Sequence, residues 1–172
     1  MIRANATLTT LLLSVALVAC SKKPPKELPP APGGTGQEVT DNTGLDNSGA
    51  PVPGSQADFV ASVASDTIYF DTDRYNVDSA DAATLQSQAQ WLARYPAARV
   101  TIEGHADERG TRDYNLALGE RRANAAKTYL VGLGVGAERV TTVSYGKERP
   151  VALGSDEASW ARNRRAVTVT VQ

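Results

Sequence analysis

The sequence predicts an α/β sandwich, one mixed sheet with helices packed on one face, in the order strand, helix, strand, helix, strand, strand. Three observations predict it. Beyond residue 66, runs of β-branched residues take turns with stretches whose apolar residues recur at helical spacing. Gly, Pro, Asp and Asn separate these segments. Helices laid on one face of a single sheet are the simplest way to bury both helical stripes. The domain is expected to span 58–172.

The elements follow in order. Thr67-Ile68-Tyr69-Phe70 is β-branched and aromatic and ends at Asp71-Thr72-Asp73, a strand and a turn. Asp78-Ser79-Ala80-Asp81 is a good helix start. Ala82, Leu85, Ala89 and Leu92 then form an apolar stripe, Gln86, Gln88 and Gln90 are expected outward, and Pro96 ends the helix. Residues 99–105 (RVTIEGH) alternate as a half-buried strand does. A charged loop over 106–111 leads to a helix over about 113–133, with Leu116, Ala123, Ala126, Leu130 and Leu133 as its stripe. Gly132 or Gly134 suits its C-terminal cap. A third strand is predicted over 140–145, a short helix around Trp160, and a final strand over 166–171 with its valines on one face.

The N-terminus reads differently. Arg3 precedes an apolar run from 11 to 19, shorter than the roughly 20 residues a spanning helix needs. Residues 1–19 therefore read as a secretory signal. It ends in Leu17-Val18-Ala19-Cys20, which resembles the lipobox of bacterial lipoproteins. That resemblance implies that Cys20 becomes the first mature residue and carries acyl chains, each stabilising membrane attachment by about 0.8 kcal/mol per buried CH₂. Ser21 after the Cys implies retention in the outer membrane, with the domain facing the periplasm.

Residues 20–57 are rich in Pro, Gly, Asn, Asp and Lys and show neither period. Such a segment buries too little apolar area to offset its ordering entropy. It is expected to be a disordered tether, able to reach on the order of 100 Å when extended.

Composition excludes several chemistries. A formal net charge of -1 lacks the basic excess of a nucleic-acid binder. One Cys and one His, far apart, exclude an internal disulfide and an ordinary zinc cluster. No cofactor is expected.

The stretch 102–123, IEGHADERGTRDYNLALGERRA, carries the functional expectation. Its charges suit a solvated face. Helical spacing singles out a few: Asn115, Leu118 and Arg122 stand at i, i+3 and i+7 and share one side. Gly119 leaves room beside them for something to approach the backbone. Asp107, at a strand end, can turn toward that side. The arginine fork fits a carboxylate and the aspartate accepts from an ammonium, so together they suit an amino-acid zwitterion. The same geometry also allows Asp107 and Arg122 simply to pair with each other.

Residues 102–111 (IEGHADERGT), with Tyr114-Asn115-Leu116 and Leu118-Gly119-Glu120-Arg121-Arg122-Ala123, resemble the signature of the OmpA-like peptidoglycan-binding domain family. Residues 144–150 (SYGKERP) and 160–165 (WARNRR) extend the resemblance from 67 to the C-terminus and fit a lipoprotein branch of that family. It implies a βαβαβ-β fold and non-covalent binding of the peptidoglycan stem peptide through meso-diaminopimelate. By motif position, Asp107 takes the ammonium and Arg122 the carboxylate, while Asn115 and Leu118 shape the pocket. Phe70, Asp71 and Thr72 match a segment lining its other side, and Asn163 and Arg164 match positions near it. The resemblance further implies TolB and other Tol proteins as partners.

Catalytic readings are weaker. His105 has no second His and no nucleophile arrangement around it. Asp107 and Glu108 are adjacent at a strand end and point different ways, unlike a glycosidase pair. The glycines at 132, 134 and 136 follow a helix and do not present phosphate to a helix start. Two classes remain: a lipid-anchored wall-binding module without turnover, and a lipid-anchored peptidoglycan hydrolase or amidase.

Overall fold

The computed structural model describes residues 49–171. The signal, lipidation and most of the tether expected above lie outside the described residues. Chain order is α1 (Gln56–Ser62), β1 (Thr67–Tyr69), α2 (Ser79–Arg94), β2 (Arg99–His105), α3 (Arg112–Gly132), a 3-10 turn (Ala137–Arg139), β3 (Val140–Gly146), α4 (Glu157–Asn163) and β4 (Arg165–Val171). The sheet runs β1-β4-β2-β3. Strand β4 is antiparallel to both neighbours, and β2 and β3 are parallel. This is the mixed α/β sheet the sequence predicts.

Local chemistry sets the helix ends. The carboxylate of Asp78 accepts from the N–H of Asp81 at 2.8 Å, and Thr111 caps α3 by accepting from Tyr114. Both satisfy donors that a helix start leaves unpaired. Gly134, at φ +96°, lets the chain turn after α3, where Val135 N–H donates to Leu130 C=O.

Ile68, Val100, Ile102, Val140 and Ala166 come from one sheet face and meet Leu85, Leu92, Ala123 and Leu130 from the helices. Two expectations change here, on Gln88 and Leu133, and α1 and the facing of β4 were not anticipated. Helix α1 has no periodic signal in so short a run, yet Phe59 packs edge-on against Trp91 at 4.9 Å, and both are fully buried. Gln88 is buried, not outward: it donates to Ser65 C=O and accepts from the Thr168 hydroxyl, both at 2.9 Å, so its polar atoms are satisfied inside. Leu133 is 42% exposed because α3 ends one residue before it. The valines of β4 do share a face, but Ala166 and Thr168 are the residues buried under the helices, and the valines lie on the opposite side.

Candidate zwitterion pocket

Strand β2 ends at His105, and the next amide, Ala106 N–H, donates to Gly146 C=O at 2.8 Å. That bond fixes where Asp107 leaves the sheet. Asn115, Leu118 and Arg122 occupy one side of α3 and are all buried. With Thr72, Asp73, Arg109, Gly110 and Tyr114 they enclose, around Asp107, a cavity of about 270 Å³.

Arg122 is fully buried. Its Nε donates to Arg74 C=O at 2.9 Å, Nη1 to His105 C=O at 2.8 Å and Nη2 to Asp71 C=O at 3.0 Å. Three of its five N–H groups thus staple the 71–74 segment to the end of β2, and two remain. Burial pulls its pKa down to about 10, against the pull of Asp107, so it stays charged at neutral pH.

Asp107 does not pair with Arg122. It accepts from Arg109, at 3.1 Å from the backbone N–H, 3.1 Å from Nε and 2.6 Å from Nη2. Arg164 Nη1 stands 3.5 Å away. Burial raises the carboxyl pKa, but the Arg109 hydrogen bonds outweigh it and hold the group below the usual carboxylate range.

Gly119 admits no ligand. Its neighbour is the backbone of Gly104 in β2, and a Cβ on it would lie 2.8 Å from Gly104 C=O. Of the other expected residues, Thr72 lines the pocket, while Phe70, Asp71 and Arg164 line a second cavity of about 340 Å³. Asn163 lines neither: its carbonyl accepts from Val151 and Ala152 N–H at 2.8 and 3.1 Å, and it orders that loop. Sequence reasoning did not single out Asp73, Arg109 or Tyr114. Asp73 sits at φ +56°, a conformation Asp tolerates better than most residues, and accepts from the Tyr114 hydroxyl at 3.0 Å. A turn at 71–73 hinted at Asp73; Arg109 and Tyr114 stand inside the family motif, which gave them no separate role.

His105 lies on the sheet face away from the core helices, buried beside Tyr145 with ring centroids 5.6 Å apart. Burial, then Arg165 and Arg149, depress its pKa to about 4. It is neutral at pH 7, and its ring does not line the pocket. Because the folded pKa lies below the unfolded value of about 6.5, the unfolded chain binds more protons between these values. Stability is therefore full above pH about 6.5 and falls as pH drops toward 4, by on the order of 3 kcal/mol. Urea unfolding of His105→Phe at pH 7 and pH 4.5 should show a clearly smaller loss than the unsubstituted chain. An equal loss in both would locate the acid sensitivity elsewhere.

Comparison with known proteins bears on this pocket. Residues 69–164 match the model of the OmpA family. A peptidoglycan-associated lipoprotein of Rhizobium meliloti is 50% identical over 165 residues, covering 96% of this chain and 87% of that protein. The crystal structure of the peptidoglycan-associated lipoprotein from Burkholderia pseudomallei is 52% identical at a TM-score of 0.61, covering 63% of this chain and 92% of that one. A solved cell wall anchor from Pseudomonas aeruginosa is 27% identical at a TM-score of 0.56, covering 70% of this chain and 99% of that one.

Proposed function

The chain belongs to the OmpA family, on its peptidoglycan-associated lipoprotein branch, and from that premise we propose that it ties the outer membrane to the cell wall by binding the stem peptide at meso-diaminopimelate without turning it over. The observation that carries this reading is the convergence of an ionised Asp107 and a charged Arg122 on one small cavity. A carboxylate has about four acceptor positions, and Arg109 fills three of those on Asp107, leaving one for a ligand ammonium. The two N–H groups that Arg122 keeps suit a carboxylate. Asn115 and Leu118 shape the pocket from α3, and Thr72 from the opposite segment.

The anchor is acylated Cys20 in the outer membrane, the tether is 20–57, whose last two residues already belong to α1, and the wall-binding domain is 58–172. Support for a spanning role comes from where the chain enters the domain. The Gln56 side chain accepts from Thr170 N–H at 2.7 Å, and Thr170 pairs with Val100 near the start of β2. The chain thus enters the described domain near the start of β2, and the pocket stands at that strand's other end. TolB and other Tol proteins are partners in the same reading, as the motif resemblance over residues 102–123, 144–150 and 160–165 implies.

The mature chain in detergent, mixed with purified peptidoglycan, separates a binder from a hydrolase or amidase. Co-sedimentation with no soluble fragments is expected; steady release of fragments would sink the binding reading. Asp107→Asn keeps the shape of the carboxyl and removes its charge. It should cut the co-sedimented fraction at least tenfold, since breaking one desolvated charge contact typically costs 2–5 kcal/mol. Wall with lysine in place of diaminopimelate should bind weakly, because it lacks the carboxylate assigned to Arg122.

A further inference from the structure

We propose that Arg109 is a second anion-binding group of this pocket, so that the preferred ligand is a peptide carrying one more carboxylate next to its zwitterionic end. The inference rests on the reading of Asp107 and Arg122 above and adds a specificity that neither supplies.

Three guanidinium groups surround Asp107, and they differ in what they can reach. Arg122 and Arg164 are buried. Arg122 ties backbone carbonyls of the 71–74 segment and β2 and keeps two N–H groups inside the cavity. Arg164 binds Phe70 C=O and Glu157 and keeps Nη1 facing Asp107 at 3.5 Å. The Arg109 side chain is 39% exposed at the mouth of the cavity. It is nevertheless held still. Its Nε and Nη2 grip Asp107, Nη2 also reaches Thr72 Oγ1 at 3.3 Å, and the group lies 4.2 Å from the centroid of the Trp160 ring. The backbone beneath it is stapled as well. Asn115 donates to Arg109 C=O at 2.7 Å, and Lys147 donates to Gly110 C=O at 2.7 Å and Glu108 C=O at 3.1 Å.

These contacts leave Nη1 with no hydrogen-bond acceptor among the described residues. The nearby carboxylates are engaged elsewhere, Asp73 with the Tyr114 hydroxyl and Glu157 with Arg164. A planar fork whose orientation is already fixed loses little further freedom when it takes an anion. Its position beside Asp107 sets the ligand pattern: one carboxylate held inside by Arg122, the ammonium at Asp107, and a second carboxylate outside at Arg109. A stem peptide with an acidic residue next to diaminopimelate has that pattern.

The test is calorimetric titration of the mature chain in detergent with two synthetic peptides. Both carry meso-diaminopimelate preceded by D-glutamate, one with the α-carboxyl of that glutamate free and one with it as the carboxamide. The unsubstituted chain should prefer the free acid by about threefold to fivefold, as for one well-ordered charge contact near a surface. Arg109→Gln should bind both peptides alike, at the strength the unsubstituted chain shows for the carboxamide. Arg109→Lys should keep part of the preference. The proposal is overturned if the unsubstituted chain does not discriminate, or if Arg109→Gln still does. It is also overturned if Arg109→Gln loses both peptides equally, since Arg109 would then serve only to orient Asp107. Failure of the underlying reading looks different: Asp107→Asn would then bind both peptides as tightly as the unsubstituted chain.

Discussion

Replacing Arg122 with alanine is expected to abolish binding to peptidoglycan and, in the same step, to destabilise the domain by about 3–5 kcal/mol. The first effect follows from losing the cation assigned to the ligand carboxylate. The second follows from burial. The guanidinium is fully enclosed and satisfies the carbonyls of Asp71, Arg74 and His105, and its removal leaves one buried and two part-buried acceptors and a cavity. The 71–74 segment, which shapes the far side of the pocket, loses its tie to β2. Alanine alone therefore cannot separate binding from folding. Arg122→Lys keeps a charge but not a planar fork spanning three carbonyls, so intermediate stability with weak binding is expected. Asp107→Asn is the complementary case, with binding lost and the fold kept. Urea unfolding together with wall co-sedimentation checks all three. An Arg122→Ala domain as stable as the parent would contradict the stapling role; undiminished wall binding by it would contradict the site.

The second large effect is expected at Gly104, where alanine should prevent stable folding. Strand β2 and helix α3 pass at backbone contact there. A Cβ on Gly104 would run into the carbonyl of Gly119, which has no alternative position within its helix. The reciprocal change, Gly119→Ala, drives a Cβ against Gly104 C=O and the Ser144 hydroxyl, which itself donates to Leu116 C=O. Overpacking that only backbone movement can relieve costs at least 3 kcal/mol or so, a large share of what a domain this size has to lose. Gly132→Ala is the control. Nothing lies within 4 Å of its added Cβ, at the last residue of α3, and the change should be neutral or stabilising by less than about 1 kcal/mol. Thermal unfolding followed by circular dichroism reads all three. A Gly104→Ala domain melting near the parent would mean that β2 and α3 can separate without loss.

The chemistry of this site was partly legible in the chain. Helical spacing alone aligned Asn115, Leu118 and Arg122, and α3 does present them together. What spacing could not supply was the partner of each charge. The pairing weighed for Asp107 was with Arg122, and the loop conformation gave it to Arg109 instead. Gly119 read as an opening for a ligand because glycine signals close approach, but sequence does not say what approaches. Gln88 read as a surface residue because glutamine usually is one, and only β4 brings Thr168 to satisfy it inside.

The sequence by itself determined the order of elements from β1 onward, most of their ends and the residues around which a pocket could form. These depend on local periods and on caps within a few residues. Tertiary structure decided the placement of β4 between β1 and β2, which of its faces meets the helices, the burial of Phe59 against Trp91, and the division of labour among three arginines. Each of those depends on contacts between residues far apart in the chain. Their energies depend on burial and on competing partners, neither of which a linear pattern contains.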